Sequence, residues 1–314
     1  MFNYDRMLIT PKDTLAVVDE PQFVGYLYHS PKGSILENEI SLTVYKEGAT
    51  VPYHMHTKGF ETFTLETGSA EVTIAGKRCI IEAGDMVQIE PYMPHGFRFL
   101  VEGSRWRELF QELDMYNAHS DRAYISVGSV PLLEDDGFMK GFRSSHNNIQ
   151  LPEPEPLQVD KSDMPMICPM GEGITTFSTE GMKMTLKIGR WQLHGNKEIW
   201  EYAIEKGWAL TFGDRNPNES IYLVRRGKTR VEAAGRKFIA EAGDIICVPQ
   251  YSSFRMQAVA DDTILHDYNC KMTLFRMLEE IETESAKEDA NPDTVRAKYF
   301  TLHNCPLTNY RKMP

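Results

Sequence analysis

An all-β chain folded as two tandem small barrels with a C-terminal helix is the class this sequence predicts, and three observations predict it. The stretch from Gly68 to about Phe99, GSAEVTIAGKRCIIEAGDMVQIEPYMPHGFRF, alternates short apolar runs with Gly and Pro breaks and shows no helical period. Closely spaced antiparallel strands are written this way. The pattern returns 159 residues later as GKTRVEAAGRKFIAEAGDIICVPQYSSFRMQA, matching Gly68 to Gly227, Val72 to Val231, Gly76 to Gly235, Ile80 to Ile239 and Tyr92 to Tyr251, with EAGD in both copies. Finally, 314 residues with 41% hydrophobic and 25% charged side chains suffice for two ordinary globular cores.

In chain order, residues 1–150 form the first barrel. The segment Ser144 to Pro165, SSHNNIQLPEPEPLQVDKSDMP, is rich in Pro, Asn and Asp, and its alternating Pro-Glu favours an extended, semi-rigid connection. The domain junction is placed there, so residues 151–314 form the second barrel with its tail. From Lys271 to Lys287 the chain reads KMTLFRMLEEIETESAK, with Leu274, Met277, Leu278 and Ile281 on one helical face and acids opposite. This helix covers a barrel or a dimer seam.

The 34 Lys and Arg against 45 Asp and Glu give a net charge of −11, a field that repels phosphate backbones and anionic lipid. Nucleic acid and membrane are therefore excluded as partners. There is no apolar run of the roughly 18 residues a span requires and no cationic-then-hydrophobic start, so the expected location is the cytoplasm. Five scattered cysteines (Cys79, Cys168, Cys247, Cys270, Cys305), none in a Cys-x-x-Cys pair, read as reduced thiols.

Chemistry concentrates in GATVPYHMHTKGFETFTLETG. His54 and His56 are two apart, so on a strand both imidazoles leave the same face. Glu61 follows a short turn containing Gly59, and His95 arrives one hairpin later. Three imidazoles and one carboxylate suit one divalent transition metal, Fe, Mn, Ni, Co or Zn, rather than Ca or Mg. Alternation from His95 puts Phe97 and Phe99 on the inner face, and alternation from Glu61 puts Phe63 and Leu65 there. These four aromatic and aliphatic side chains are the candidate substrate-binding wall. A ligand carboxylate that loosens its bond can also take a proton from substrate, which makes Glu61 the candidate catalytic base. Arg98, Arg105, Glu108 and Glu112 follow on nearby strands as candidates to orient a substrate or hold a ligating imidazole.

The framing glycines complete the pattern: Gly48-x5-His54-x-His56-x4-Glu61-x6-Gly68, then Gly84-x10-His95. This resembles the paired motifs of the cupin superfamily, matched at every defining position of the first motif. The second motif departs from the family, with Glu90 for the usual Pro, Tyr92 for Gly and Phe99 for the terminal Asn, while Pro94-His95 keeps a common variant. The resemblance implies a bicupin of two double-stranded β-helix, or jelly-roll, barrels. In the second copy Gly213, Arg215 and Phe254 stand opposite His54, His56 and His95, and Glu219 or Ser220 falls near Glu61, so that barrel is expected to be metal-free.

Among bicupins the run His54-Met-His56-x4-Glu61-Thr-Phe63 looks like that of quercetinase-type flavonol dioxygenases, in which the corresponding Glu is both ligand and base. This resemblance implies a metal-dependent enzyme that breaks a C–C bond in a small phenolic or enolisable β-dicarbonyl substrate. Dioxygenation is the leading route, and oxygen-independent hydrolytic opening of a cyclic β-diketone is the alternative. A non-catalytic small-molecule-binding or regulatory bicupin is the other class the resemblance permits. The expected partners are the small-molecule substrate and a second copy of the chain in a homodimer.

Overall fold

The computed structural model describes residues 7–29, 38–111, 113, 135–179, 181–213, 219–271, 274–302 and 307–309. The chain divides into two compact units, Asp13–Gly171 and a second made of Met1–Lys12 with Glu172–Pro314.

The first unit is built from two sheets. One runs, in spatial order, Ile167–Cys168, Met86–Ile89, Phe60–Thr67, Ser104–Gln111, Asn38–Tyr45, Phe23–His29, Ala16–Glu20. The other runs Ile149–Gln150, Thr50–Met55, His95–Phe99, Ser69–Ile74, Lys77–Glu82, Leu157–Gln158. Period-two patterning sends Ala70, Val72 and Ile74 inward from one strand and Ile81 from its neighbour, and these pack with Leu65, Phe99 and Trp106 as the core. A two-residue turn at Ala75-Gly76, both at positive φ, joins those two strands with the twist a tight hairpin needs. A helix, Asp136–Ser145, begins on Asp135, whose carboxylate accepts from the Phe138 amide at 2.6 Å.

The second unit repeats the plan. Its larger sheet runs Leu8–Ile9, Ile245–Val248, Ser220–Arg226, Thr263–Cys270, Glu198–Ile204, Met182–Ile188, Thr175–Thr179, and its smaller sheet Arg236–Glu241, Lys228–Ala233, Phe254–Ala258, Ala209–Phe212, Leu307–Asn309. The helix expected near the C-terminus spans Leu274–Ser285 and buries Leu274, Met277, Leu278 and Ile281, and a further helix, Pro292–Leu302, follows it. Among the described residues no helix is long and apolar enough to cross a membrane.

The duplication extends well past the segment that reveals it in sequence. Each strand from Leu8–Ile9 to Ile149–Gln150 has a counterpart close to 159 residues on, ending with Leu307–Asn309 beside Ala209–Phe212 as Ile149–Gln150 lies beside Thr50–Met55. The opening strands are exchanged: Leu8 pairs with Ile246, whereas its counterpart Ile167 pairs with Val87. Each repeat thus contributes its first strand to the sheet that holds the rest of the other repeat. For this reason the chain divides at Gly171/Glu172 rather than at 150/151, and the first twelve residues belong to the second unit. The Pro-Glu segment is not a free connection either. Ile149–Gln150, Leu157–Gln158 and Ile167–Cys168 from this stretch and its end are edge strands of the first unit, positions where proline is tolerated.

The four described cysteines, Cys79, Cys168, Cys247 and Cys270, are buried free thiols, and Cys305 lies outside the described residues.

Candidate metal centre

Three strands bring the four candidate ligands together. Thr50–Met55 carries His54 and leads directly into His56, and its neighbour His95–Phe99 sets His95 opposite His54. Glu61 comes from the facing sheet, one residue into Phe60–Thr67. The turn before it needs Gly59: its φ is +84°, and a Cβ there would stand 2.4 Å from Leu113 Cγ and 2.8 Å from the Gln111 carbonyl. Tyr92 occupies the place where the motif usually has glycine, yet it adopts φ +63° and its amide donates to the His56 carbonyl at 2.7 Å. The turn survives the departure in sequence.

All four side chains are buried, and their ligand atoms lie within 4.8 Å of one another. Each imidazole directs Nδ1 at a backbone carbonyl: His54 at Pro52 (2.7 Å), His56 at Asn147 (2.6 Å) and His95 at Met93 (2.9 Å). These bonds put the proton on Nδ1 and leave Nε2 as a lone pair. The Nε2 atoms of His54 and His56 then face each other at 3.1 Å, while Glu61 oxygens stand 3.2 Å from His56 Nε2 and 2.9 Å from His95 Nε2. Acceptors aimed at acceptors repel. Glu61 Oε2 and His95 Nε2 moreover lack any hydrogen-bond partner, a costly arrangement for buried groups. A cation resolves it, because spacings of 2.9–3.2 Å are those between neighbouring ligand atoms around one ion bound at about 2.1 Å. The residues fit one divalent transition metal.

Electrostatics favour the ligand states of His54 and Glu61, and in the absence of an ion the Glu61 charge draws a proton to His56. Burial, and then the charges of His95 and His56, pull His54 down to about 3, so it is neutral at any working pH. Burial pushes the Glu61 carboxyl up, but His56 and His95 together outweigh it and hold the group well below the usual carboxylate range. For His56, burial lowers the imidazole while the Glu61 charge and the Asn147 carbonyl raise it by more.

The centre sits at one end of a cavity of about 160 Å³. Phe63, Phe97, Trp106 and Phe110 form its apolar wall, Tyr45 and Glu108 line it as well, and Met139, Phe142, Arg143, His146 and Asn148 enter from the helix Asp136–Ser145 and the turn after it. Of the four expected wall residues, Phe63 and Phe97 line the cavity. Leu65 and Phe99 face the same way but lie in the core behind it, where Phe99 stacks on Tyr45 at 3.7 Å. Among the charged candidates, Arg98 is exposed and Arg105 reaches Glu66 at 3.5 Å, so neither enters the cavity; Glu108 does, and Glu112 lies outside the described residues.

Sequence reasoning missed Asn147 altogether. Its backbone carbonyl holds His56, its side-chain oxygen accepts from the Thr57 amide (2.9 Å) and hydroxyl (2.6 Å), and its φ of +60° suits asparagine better than most residues. No local pattern marks a partner ninety-one residues away.

In the second barrel Ser220 takes the place of Glu61, pairing with Val248 as Glu61 pairs with Ile89, and Phe254 takes that of His95 and stacks on Phe212. Gly213 offers no ligand, and Arg215 lies outside the described residues. Among the described residues, the His54 group is the one cluster of three or more His, Cys, Asp or Glu able to hold a metal.

Comparison with known proteins agrees with this architecture. No curated protein matches the chain by sequence. Residues 41–104 match the family model "Cupin domain". Among solved structures, the Lactobacillus farciminis oxalate decarboxylase in its formate complex is similar at a TM-score of 0.56 and 16% identity, over 92% of this chain and 95% of that one. The Bacillus subtilis oxalate decarboxylase, studied for its Mn(II) centres, is similar at a TM-score of 0.54 and 17% identity, over 92% and 85%. A second structure of that enzyme, the SENS161-164DSSN mutant, gives 0.54 and 18% over 93% and 86%. Residues 41–104 therefore form a cupin domain, and the chain as a whole has the two-barrel cupin fold of these bicupin structures.

Proposed function

We propose that this protein is a metal-dependent enzyme that breaks a C–C bond next to a carbonyl in a small enolisable or phenolic substrate. One observation carries the reading: three Nε2 lone pairs and a carboxylate converge at the end of an aromatic cavity. A divalent metal held there would supply Lewis-acid stabilisation of an enolate. The chain's own residues do the rest. Phe63, Phe97 and Phe110 exclude water and grip a flat substrate, Arg143 offers a cation to an anionic oxygen, and Glu61 stands where it can accept a proton from an acidic O–H or C–H. Size narrows the class. A cavity of about 160 Å³ accommodates one ring, since an apolar cavity of roughly 150 Å³ accepts benzene, and it is small for a three-ring flavonol. Single-ring phenols and cyclic or open-chain β-dicarbonyls are the better candidates. The oxalate decarboxylases of similar fold also act, by name, on a small substrate.

The test is elemental analysis of protein purified without added metal or chelator, followed by turnover assays with those substrates in air and under nitrogen. About one transition-metal ion per chain, lost together with turnover in His95→Ala, is the expected result. Full turnover by a metal-free His95→Ala variant would overturn the site, and a metal-loaded protein inert toward every class would point to a binding role instead.

A further inference from the structure

Glu108 is an acid where the pattern of its strand calls for an apolar residue. In Ser104–Gln111 the inward positions are Trp106, Glu108 and Phe110, and all three line the cavity. Glu108 pairs across the sheet with Phe63, and Phe110 pairs with Glu61, so Glu108 is the diagonal neighbour of Glu61, a relation that spans about 7–8 Å. It stands one residue away from the metal centre, on the same face, and is not one of its ligands. Ser41 Oγ at 2.6 Å and Thr43 Oγ1 at 3.0 Å both donate to Oε2. The Tyr45 hydroxyl, on the same cavity wall, is a further side-chain partner of the carboxyl. The equivalent Asp267 of the second barrel is held differently: Oδ1 accepts from the Asn269 amide and Oδ2 lies beside the Tyr202 hydroxyl.

Two other polar groups of the cavity are poor proton donors: His146 directs Nδ1 at the Phe142 carbonyl, 2.9 Å away, and Arg143, one of whose nitrogens donates to Gln150 at 2.7 Å, keeps its proton at any working pH. Burial pushes the Glu108 carboxyl up to about 7; the Ser41 and Thr43 bonds offset this in part, and the nearby Glu61 charge adds to it. A carboxyl so placed can carry a proton at neutral pH.

We propose that Glu108 is the acid of this site, delivering its proton to the carbon released when the C–C bond breaks. This rests on the C–C cleavage reading above and deepens it, because only a route that leaves an electron pair on carbon needs such a donor. For a β-diketone, the oxygen of water adds to one carbonyl carbon, and the bond from that carbon to the carbon between the carbonyls breaks. The electron pair stays on the latter as an enolate, and Glu108 protonates it. The Glu61 carboxylate accepts the proton that water gives up as it adds, and that proton restores Glu108 once the enolate has been protonated. One water is consumed, a carboxylic acid and a ketone are formed, and no oxidant is involved.

The experiment compares wild-type holoenzyme with Glu108→Gln and Glu108→Asp, using the β-diketone isomer of cyclohexanedione as probe under nitrogen, with metal content measured on each preparation. Expected are ring opening by the wild type, a fall in kcat of at least about 100-fold in Glu108→Gln with KM changed little, and partial recovery in Glu108→Asp. Metal content should stay at the wild-type level in both variants, which shows that the fold and centre are intact. Wild-type kcat in Glu108→Gln would overturn the role of Glu108 and leave C–C cleavage standing. Cleavage only in air, with dioxygen consumed, would overturn the non-oxidative route while also leaving C–C cleavage standing. No cleavage of β-diketones or phenols under either gas by metal-loaded wild type would overturn both.

Discussion

Asp267 occupies in the second barrel the position Glu108 holds in the first, opposite Tyr222 as Glu108 is opposite Phe63. Burial raises its carboxyl to about 7, with the Asn269 amide, Tyr222, Tyr202 and the Lys197 charge pulling the other way. In the unfolded chain the same group titrates near 4. Below that pH both states hold the proton and the contribution is fully present. As pH rises toward 7 the unfolded chain ionises first, so stability is lost across this window, by up to roughly 4 kcal/mol. Asp267→Asn keeps the shape and removes the titration. Its melting temperature relative to wild type should climb steadily between about pH 4 and pH 7, read by thermal unfolding in buffers across that range; a constant difference would mean that the carboxyl does not change state there. At this scale the ligands were the legible part. His54, His56, Glu61 and His95 announce themselves by spacing because strand geometry fixes which residues share a face. Glu108 shows itself only once Trp106 and Phe110 are known to point inward, and the failure of Leu65 and Phe99 to reach the cavity is a matter of depth along the strand, which alternation does not encode.

Helices show where sequence patterning speaks and where it falls silent. Leu274–Ser285 was readable because four apolar residues at helical spacing bury one face. Asp136–Ser145 buries Met139 alone and contains Gly137, Gly141, Ser144 and Ser145, poor helix formers that masked it, although the Asp135 cap was there to be seen. Pro292–Leu302 likewise buries one residue, Val295, and its start is marked by Asn291, whose side chain accepts from the Asp293 and Thr294 amides ahead of a first-position proline. The missed helix matters for function, since the turn after it delivers Asn147 to His56. Asn147→Gly preserves the left-handed backbone but removes the bonds to Thr57 and Lys58 that fix the carbonyl. Metal affinity should drop by about 10–100-fold, the usual effect of losing an outer support, with the melting temperature of the metal-loaded protein little changed. Chelator competition with Co(II) measures the affinity, and the Co(II) absorption spectrum reports whether His56 has turned. Unchanged affinity would mean that the carbonyl is held by the turn alone.

This molecule is built from two copies of one plan, and among the described residues one of them holds the metal-ligand cluster. The repeat was legible from Gly68 to Phe99 because tight hairpins demand glycine at fixed places; elsewhere the copies share only strand positions, and the exchange of Leu8–Ile9 with Ile167–Cys168 has no signature that two-residue strands could carry. The two barrels also differ in what holds their interiors together. Ser220 and Phe254 fill the second with packing and local hydrogen bonds, whereas the first buries three imidazoles and a carboxylate whose free atoms face one another. Without an ion that arrangement is repulsive, so metal binding is also folding energy for this barrel. At a free metal concentration a hundred times Kd the gain is about 2.7 kcal/mol, or roughly 100-fold in the rate at which the protected amides exchange by opening. Adding a chelator to the holoprotein should therefore speed amide hydrogen exchange in Thr50–Met55, Phe60–Thr67 and His95–Phe99 by up to that factor, and leave Ala209–Phe212, Ser220–Arg226 and Phe254–Ala258 at their former rates. Equal acceleration in both sets would mean that the second barrel shares the metal's stabilisation, and the assignment of the ion to His54, His56, Glu61 and His95 alone would fail.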